Sequence, residues 1–286
     1  MKNRMLLWLR IVRPQTLFAS LVPVLVGVLS VHRSGTAVVA AHPTLTAVLT
    51  ALCALSLQIL SNLINDWYDF KRGTDKAGRA GFRRALAEGE VSERQMLISI
   101  GTDLSIAVLT GLYLVWEGGL PILAIGLSAI LFAYLYTATS HSLSYLGIAD
   151  IFVLLYYGLI ASAGTAYLLT GSFVPMAFHA GAVCGLISMG VLMINNLRDI
   201  EDDRAAGKRT LPVRFGKRGG EIVMLVEVLL MPVAAWMAFG LSPSVFIVLP
   251  ALALYVCVLH ASGPLYNRCL LATGLLNVLY LILCLI

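Results

Sequence analysis

From Ile151 to Leu197 the chain carries no Asp, Glu, Lys or Arg. A helix needs roughly 20 apolar residues to cross a bilayer core, so this stretch is long enough for two crossings. Water is absent from that core, and backbone groups must be satisfied within the segment, which favours helices. The same pattern runs through the rest of the sequence. Charged residues make up 12% of the 286 and hydrophobic ones 59%, whereas soluble domains usually carry about 25% charged residues. The apolar runs give nine spans, at about 15–32, 43–64, 96–115, 119–137, 147–169, 174–195, 221–240, 243–261 and 269–286. Ser242, Pro243 and Ser244 alone mark the turn between the seventh and eighth. The expected fold is an all-α integral membrane protein, one domain over 1–286.

Charge placement gives an independent topology. With nine spans, the N-terminal segment and the segments 65–95, 138–146, 196–220 and 262–268 share one face. They hold every one of the 20 Lys and Arg residues except Arg33. The positive-inside rule puts that face, with the N-terminus and both long polar loops, in the cytoplasm. The expected location is therefore the cell membrane, crossed many times, with membrane lipids as the surroundings. Basic loops beside a membrane account for the net charge of +5, and no nucleic-acid motif accompanies them, so no nucleic-acid partner is expected. Lys2, Arg4 and Arg10 before an apolar run look like a signal sequence, but the run is long and lacks a small-residue cleavage site. We read it as a retained first helix. Cys53, Cys184, Cys257, Cys269 and Cys284 lie in or beside apolar helices without paired spacing, which suits packing rather than metal or disulfide roles.

Polarity is concentrated in two places. Asp66, Asp69, Asp75, Glu88, Glu90 and Glu93 lie in one long loop region, and Asp199, Glu201, Asp202 and Asp203 in the other. Dense mixed charge at helix ends is ordinary for solvated loops, but the spacing here is helical. Asn62, Asp66 and Asp69 fall on one side of a helix, and Asn195, Asp199 and Asp203 repeat the step of four. Asn62 and Asn195 stand inside otherwise apolar runs, where an unbonded amide is costly. Lys71-Arg72-Gly73-Thr74 follows the first set and Gly207-Lys208-Arg209-Thr210 the second, which suggests two facing half-sites. Carboxylate and amide oxygens without His or Cys are hard ligands and suit Mg2+. Substrate phosphates commonly complete such a site, so two clusters imply a phosphorylated substrate between them. Nearby Lys and Arg would hold its remaining oxygens, and its hydrophobic part would lie between the helices.

These residues resemble the UbiA superfamily of intramembrane prenyltransferases. The first signature is Asn62-Leu-Ile-Asn-Asp66-Trp-Tyr-Asp69-Phe-Lys-Arg-Gly-Thr-Asp75, and the second is Asn195-Asn-Leu-Arg-Asp199-Ile-Glu-Asp-Asp203-Arg-Ala-Ala-Gly-Lys208-Arg-Thr. Within the superfamily the chain is most similar to the 1,4-dihydroxy-2-naphthoate polyprenyltransferases of menaquinone synthesis, through Gln58-Ile-Leu-Ser-Asn62 and Asn-Asn-Leu-Arg-Asp-Ile-Glu. The resemblance covers nearly the whole chain from Arg13-Pro14 onward. It implies a nine-helix bundle around a central cavity, Mg2+, an isoprenyl diphosphate donor and an aromatic acceptor. It places Asp66, Asp69, Asp199 and Asp203, with Asn62, at the metal. Arg13, Arg79 and Lys208, with Asn195, fall where the family holds diphosphate. Tyr136 falls where an aromatic ring would face an allylic cation. The implied chemistry is Mg2+-assisted ionisation of the allylic diphosphate, attack by an electron-rich aromatic carbon, and loss of a proton.

The chain departs from that branch around the diphosphate apparatus. Gln15 and Phe18 replace the usual Lys and Pro, and Gly81-Phe82 stands where Gly-Pro is usual. Ala87 replaces a Gln, Ala138-Thr139-Ser140 replaces Gly-Gly-Pro, and Asp150 replaces Glu. An altered acceptor, or none, is the alternative these changes leave open: some superfamily members cyclise the prenyl diphosphate themselves. A transporter is disfavoured because the carboxylates lie at helix ends rather than mid-membrane. A CDP-alcohol phosphotransferase is disfavoured by the missing Asp-Gly-x-x-Ala-Arg segment. Tyr157 is a second candidate to face a cation, and most other tyrosines suit interface belts. His141 reads as a solvated loop residue and Asp150 as a helix-start acid. Asn277 is expected to make an interhelical hydrogen bond. Asp103 sits uneasily in the third span unless it faces the bundle.

Overall fold

The structure is a computed structural model that describes residues 2–73, 85–137 and 147–286. Regular structure among the described residues is helical throughout. A short helix α1 (Lys2–Val12) leads through Arg13 into α2 (Pro14–Ser34), and α3 (Pro43–Arg72) returns. Next come α4 (Glu93–Thr137), α5 (Ala149–Thr170) and α6 (Pro175–Arg198). A one-and-a-half-turn helix α7 (Ile200–Ala205) precedes α8 (Leu211–Phe239), α9 (Pro243–Leu259) and α10 (Pro264–Leu285). Proline opens α2, α3, α6, α8, α9 and α10 at the first or second position, where its missing N–H would have had no helical partner.

Seven of these helices are long and apolar enough to cross a membrane, and α9 is a shorter apolar helix. The difference from nine spans has a local cause in α4. Its 45 residues are one continuous run, but Gly119 has φ 64° and ψ −152°, with Pro121 just beyond. The two helical arms on either side correspond to the third and fourth expected spans.

The bundle centre is α6, where 67% of the apolar stretch is buried inside the protein, against 11% in α4. The helix α2 packs against α3, α5, α6 and α10, and its Val22 and Val26 join the core around Ile187, Met193 and Tyr280. Close approach depends on small residues, as is common between membrane helices. A Cβ on Gly158 of α5 would lie 2.6 Å from the Gly181 carbonyl oxygen and from the Gly185 Cα of α6. The same crossing carries a π-helical turn at Leu155–Leu159, which shifts the register of α5 just where it touches α6. The outer face of α4 shows Leu109, Leu112, Trp116 and Leu120, all strongly exposed.

Several boundaries differ from the sequence expectation. Helix α3 continues past residue 64 to Arg72, so Asp66 and Asp69 lie on the helix itself; Gly73, at φ 66°, ends it by donating to the Asp69 and Phe70 carbonyls. Helix α4 starts early because Ser92 and Gln95 form a reciprocal capping box, with bonds of 2.9 and 3.2 Å. Asp103 then points into the bundle toward Ser56 of α3. Helix α8 begins about ten residues before the expected span, in a charged stretch that hydropathy reads as loop, and Gly216, at φ 75° and ψ 172°, breaks it between this first arm and the long apolar one. Asn277 is fully enclosed, yet neither amide atom has a partner among the described residues. The expected interhelical bond is instead supplied nearby by Tyr280, whose hydroxyl donates to the Ala180 carbonyl at 3.2 Å.

Candidate active site

The first Asp-rich set sits in the last turns of α3, facing the junction of α1 and α2. Asp66 is 4% exposed and forms an ion pair with Arg13. Asn62, one turn earlier, donates from Nδ2 to the Val12 carbonyl at 3.1 Å and to Thr16 Oγ1 at 3.0 Å. Its Oδ1 accepts from Gln58 Nε2 at 3.4 Å, which leaves that oxygen a second lone pair. Asp69 is half-buried on the same helix and is engaged in further contacts. The end of α3 is tied to the start of α4 as well. Trp67 Nε1 donates to Glu93 Oε1 at 3.2 Å, Lys71 Nζ reaches the same oxygen at 2.6 Å, and Arg10 pairs with Glu90.

The second set lies where α6 gives way to α7. Asp199 caps α6 with φ −102° and ψ 17°, a bend that separates the two helices. Its carboxylate is held in a fork by its neighbour Arg198, Nε to Oδ1 at 2.7 Å and Nη2 to Oδ2 at 2.8 Å. The remaining arm of Arg198 donates to Asn267 Oδ1 at 2.7 Å, fixing the start of α10 beside the site. One turn after Asp199, Asp203 is 4% exposed and pairs with Lys208 Nζ at 2.9 Å. The Lys208 backbone N–H also donates to the Asp203 carbonyl. Asn195 turns its amide to the Val191 carbonyl at 3.1 Å.

The structure thus joins Arg13, Asn62 and Asp66 in one network and Asp203 with Lys208 in another. Arg79 and Asp75 lie outside the described residues, as do Phe82, Ala138–Ser140 and His141, and so does the side chain of Tyr136 on the last turn of α4. Next to that turn aromatic side chains from three helices come together. Phe132 of α4 meets Phe152 at 4.2 Å and Tyr156 at 5.2 Å on α5, and Tyr68 meets Tyr134 at 6.2 Å. Tyr157, on the π turn, bonds Ser61 of α3.

The donor chemistry fits a hard divalent cation. Asp66, Asp199 and Asp203 pair with cationic side chains, and no His or Cys stands among them. Among the described residues no three acidic, His or Cys side chains are grouped to hold a metal unaided. Mg2+ takes carboxylate and amide oxygens, keeps waters and is commonly completed by substrate phosphates.

Four residues carry roles that the sequence reading leaves unassigned. Thr16 looks like an isolated polar residue in an apolar run, Gln58 extends the step of four before Asn62, and Arg198 looks like one more loop cation. Glu227, in the middle of α8, is 2% exposed with no partner for either carboxylate oxygen among the described residues, and Asp150 lies near it. Its signal was available, because an acid inside a span is itself unusual.

Residues 20–268 match the profile of the UbiA prenyltransferase family. The 1,4-dihydroxy-2-naphthoate octaprenyltransferase of Escherichia coli (strain K12) is 34% identical over 216 residues, covering 73% of this chain and 68% of that one. The enzyme of the same description from Haemophilus influenzae is 31% identical over 257 residues, 82% of each chain. Among solved structures, a UbiA homolog from Archaeoglobus fulgidus bound to GPP and Mg2+ superposes with a TM-score of 0.65 at 20% identity, covering 97% of this chain and 98% of that one. The apo structure of a UbiA homolog from Aeropyrum pernix K1 gives 0.64 at 16% identity, covering 95% and 98%.

Proposed function

The chain belongs to the UbiA prenyltransferase family, and from that membership we propose that it transfers the prenyl group of an isoprenyl diphosphate to an aromatic acceptor of the 1,4-dihydroxy-2-naphthoate type. The observation that carries this reading is identity above 30% to two naphthoate octaprenyltransferases over most of the chain, with both Asp-rich helix ends intact. In this reading Asp66, Asp69, Asp199 and Asp203 hold Mg2+, with Asn62 at their side. Bound there, Mg2+ would neutralise the diphosphate and make it a better leaving group. Arg13, Arg79 and Lys208 take diphosphate oxygens, Arg in forked geometry, and Asn195 lines the same side. Arg13 and Lys208 pair with carboxylates of the site, so both cations would be within reach of a diphosphate whose metal those carboxylates would hold. Tyr136 is the residue to which this reading gives the stabilisation of positive charge on the allylic carbon. The aromatic group of Phe132, Phe152 and Tyr156 offers an apolar wall to the prenyl chain.

The same reading completes the topology. The break at Gly119 divides α4 into two crossings and α9 adds another, giving nine membrane helices. The N-terminus and both Asp-rich ends then lie on the cytoplasmic side of the cell membrane, supported by the confinement of Lys and Arg to that face. The test is product analysis with the purified chain, Mg2+ and geranylgeranyl diphosphate, with and without 1,4-dihydroxy-2-naphthoate. A prenylated naphthoate formed only in the presence of acceptor is expected. A cyclic hydrocarbon or alcohol formed without acceptor would replace transfer by cyclisation, for which the same diphosphate apparatus suffices.

A further inference from the structure

Arg13 is the one non-glycine residue with positive φ among those described, at φ 55° and ψ 71°. Left-handed backbone is sterically disfavoured for an L-residue, and Pro14 directly after it narrows the choices further. The carbonyls on both sides of Arg13 are held. Val12 O accepts from Asn62 Nδ2 at 3.1 Å, and Arg13 O accepts from Thr16 N and from Thr16 Oγ1, each at 2.9 Å. The Thr16 hydroxyl in turn accepts from Gln58 Nε2 at 3.1 Å and Asn62 Nδ2 at 3.0 Å. A hydroxyl has one hydrogen and two lone pairs, and all three are in use. Because its hydrogen goes to Arg13 O, both amides must turn their NH2 groups toward it. Gln58 meets this at the expense of its own oxygen, since buried Oε1 has no partner among the described residues.

Gln58, Asn62 and Asp66 follow one another at steps of four, so a single face of α3 addresses Arg13 twice. Gln58 and Asn62 fix its backbone through Thr16 and Val12, and Asp66 takes its guanidinium. We propose that Thr16, Gln58 and Asn62 are positioning residues that hold Arg13 in its left-handed conformation and so aim its guanidinium into the diphosphate site. This inference rests on the reading of Arg13 as a diphosphate-binding cation. A guanidinium recognises phosphate through N–H groups in a rigid fork, so a turned backbone costs it both bonds at once.

The experiment measures binding of geranyl thiodiphosphate, a slowly ionising analogue, to the purified full chain in detergent with Mg2+ by calorimetry. Thr16→Val keeps the shape and removes the hydroxyl; it is expected to weaken binding about 30-fold, since a charged-group contact is lost. Thr16→Ser restores affinity to within about threefold, as only the hydroxyl is required. In an Arg13→Ala background Thr16→Val adds less than about twofold, because residues acting through one another are not additive. Gln58→Met, which removes the amide without the β-branched site, weakens binding about fivefold and serves if Thr16→Val does not fold. Unchanged affinity in Thr16→Val or Gln58→Met, or equal losses with and without Arg13, would overturn the proposal. An Arg13→Ala chain that binds the analogue like the wild type would instead overturn the reading of Arg13 itself.

Discussion

At the end of α3, Asp66 takes its cation from Arg13, 53 residues earlier in the chain, and the helix is tied onward to Glu93 of α4 by Trp67 and Lys71. At the end of α6, Asp199 takes its cation from the adjacent Arg198, and Asp203 from Lys208 just beyond α7. The first end draws its described contacts from four helices; in the second the described ion pairs join sequence neighbours, Arg198 with Asp199 and Lys208 with Asp203, and Asn267 ties the segment to α10. Two sets of similar residues with similar spacing therefore rest on different foundations. The first should answer to changes far away in sequence, and the second chiefly to changes in its own segment.

The sharpest way to break this comparison is to remove each inner cation. Arg13→Ala leaves buried Asp66 without its guanidinium, at a cost of about 3–5 kcal/mol, and the loss should spread to α1 and α2. Thermal unfolding in detergent, with limited trypsin cleavage at Arg10 as a local readout, checks both parts. Arg198→Ala should cost a similar amount in stability while leaving cleavage at Arg10 unchanged. Restoration of stability in Arg13→Ala/Asp66→Ala relative to Arg13→Ala alone identifies the buried charge as the cause. A smaller effect is expected at Lys208, whose side chain is 22% exposed. Lys208→Met should cost about 2 kcal/mol, read by the same unfolding assay, with no change at Arg10. Smallest of all is Arg204→Ala, because the pair with Glu201 is 53% and 82% exposed. It should fall within about 0.5 kcal/mol of the wild type, and a larger change would show that the outer surface of α7 carries more of the second end than its contacts suggest.

The sequence is a good guide to the parts of this molecule that follow from local chemistry. Steps of four and three place Asn62, Asp66 and Asp69 on the helix α3, and the Gly-Gly-Leu-Pro run at 118–121 marks the break in α4, whereas the step of four through Asn195, Asp199 and Asp203 is interrupted by the bend at Asp199. Hydropathy fails where a helix is charged. Arg214, Lys217 and Arg218 read as loop, yet they lie on helical turns on either side of a break at Gly216, where φ is 75° and ψ 172°. It also cannot see partners brought together by packing. Thr16 and Gln58 acquire meaning only when α2 and α3 lie side by side, and Asn277 looks like an interhelical donor, yet its amide finds no partner among the described residues. Glu227 is a different case: the residue type alone made it conspicuous, and only its setting among apolar neighbours of α8 hid it.

In the proposed reaction the two Asp-rich ends act on one diphosphate. Release of inorganic diphosphate from geranylgeranyl diphosphate, with Mg2+ and acceptor present, tests this in the wild type, Asp66→Asn, Asp199→Asn and the double variant. Groups that act as a unit are strongly non-additive. Each single variant should therefore lose turnover by about 1,000-fold or more, and the double variant should be no worse than either. Wild-type release in either single variant would contradict the account.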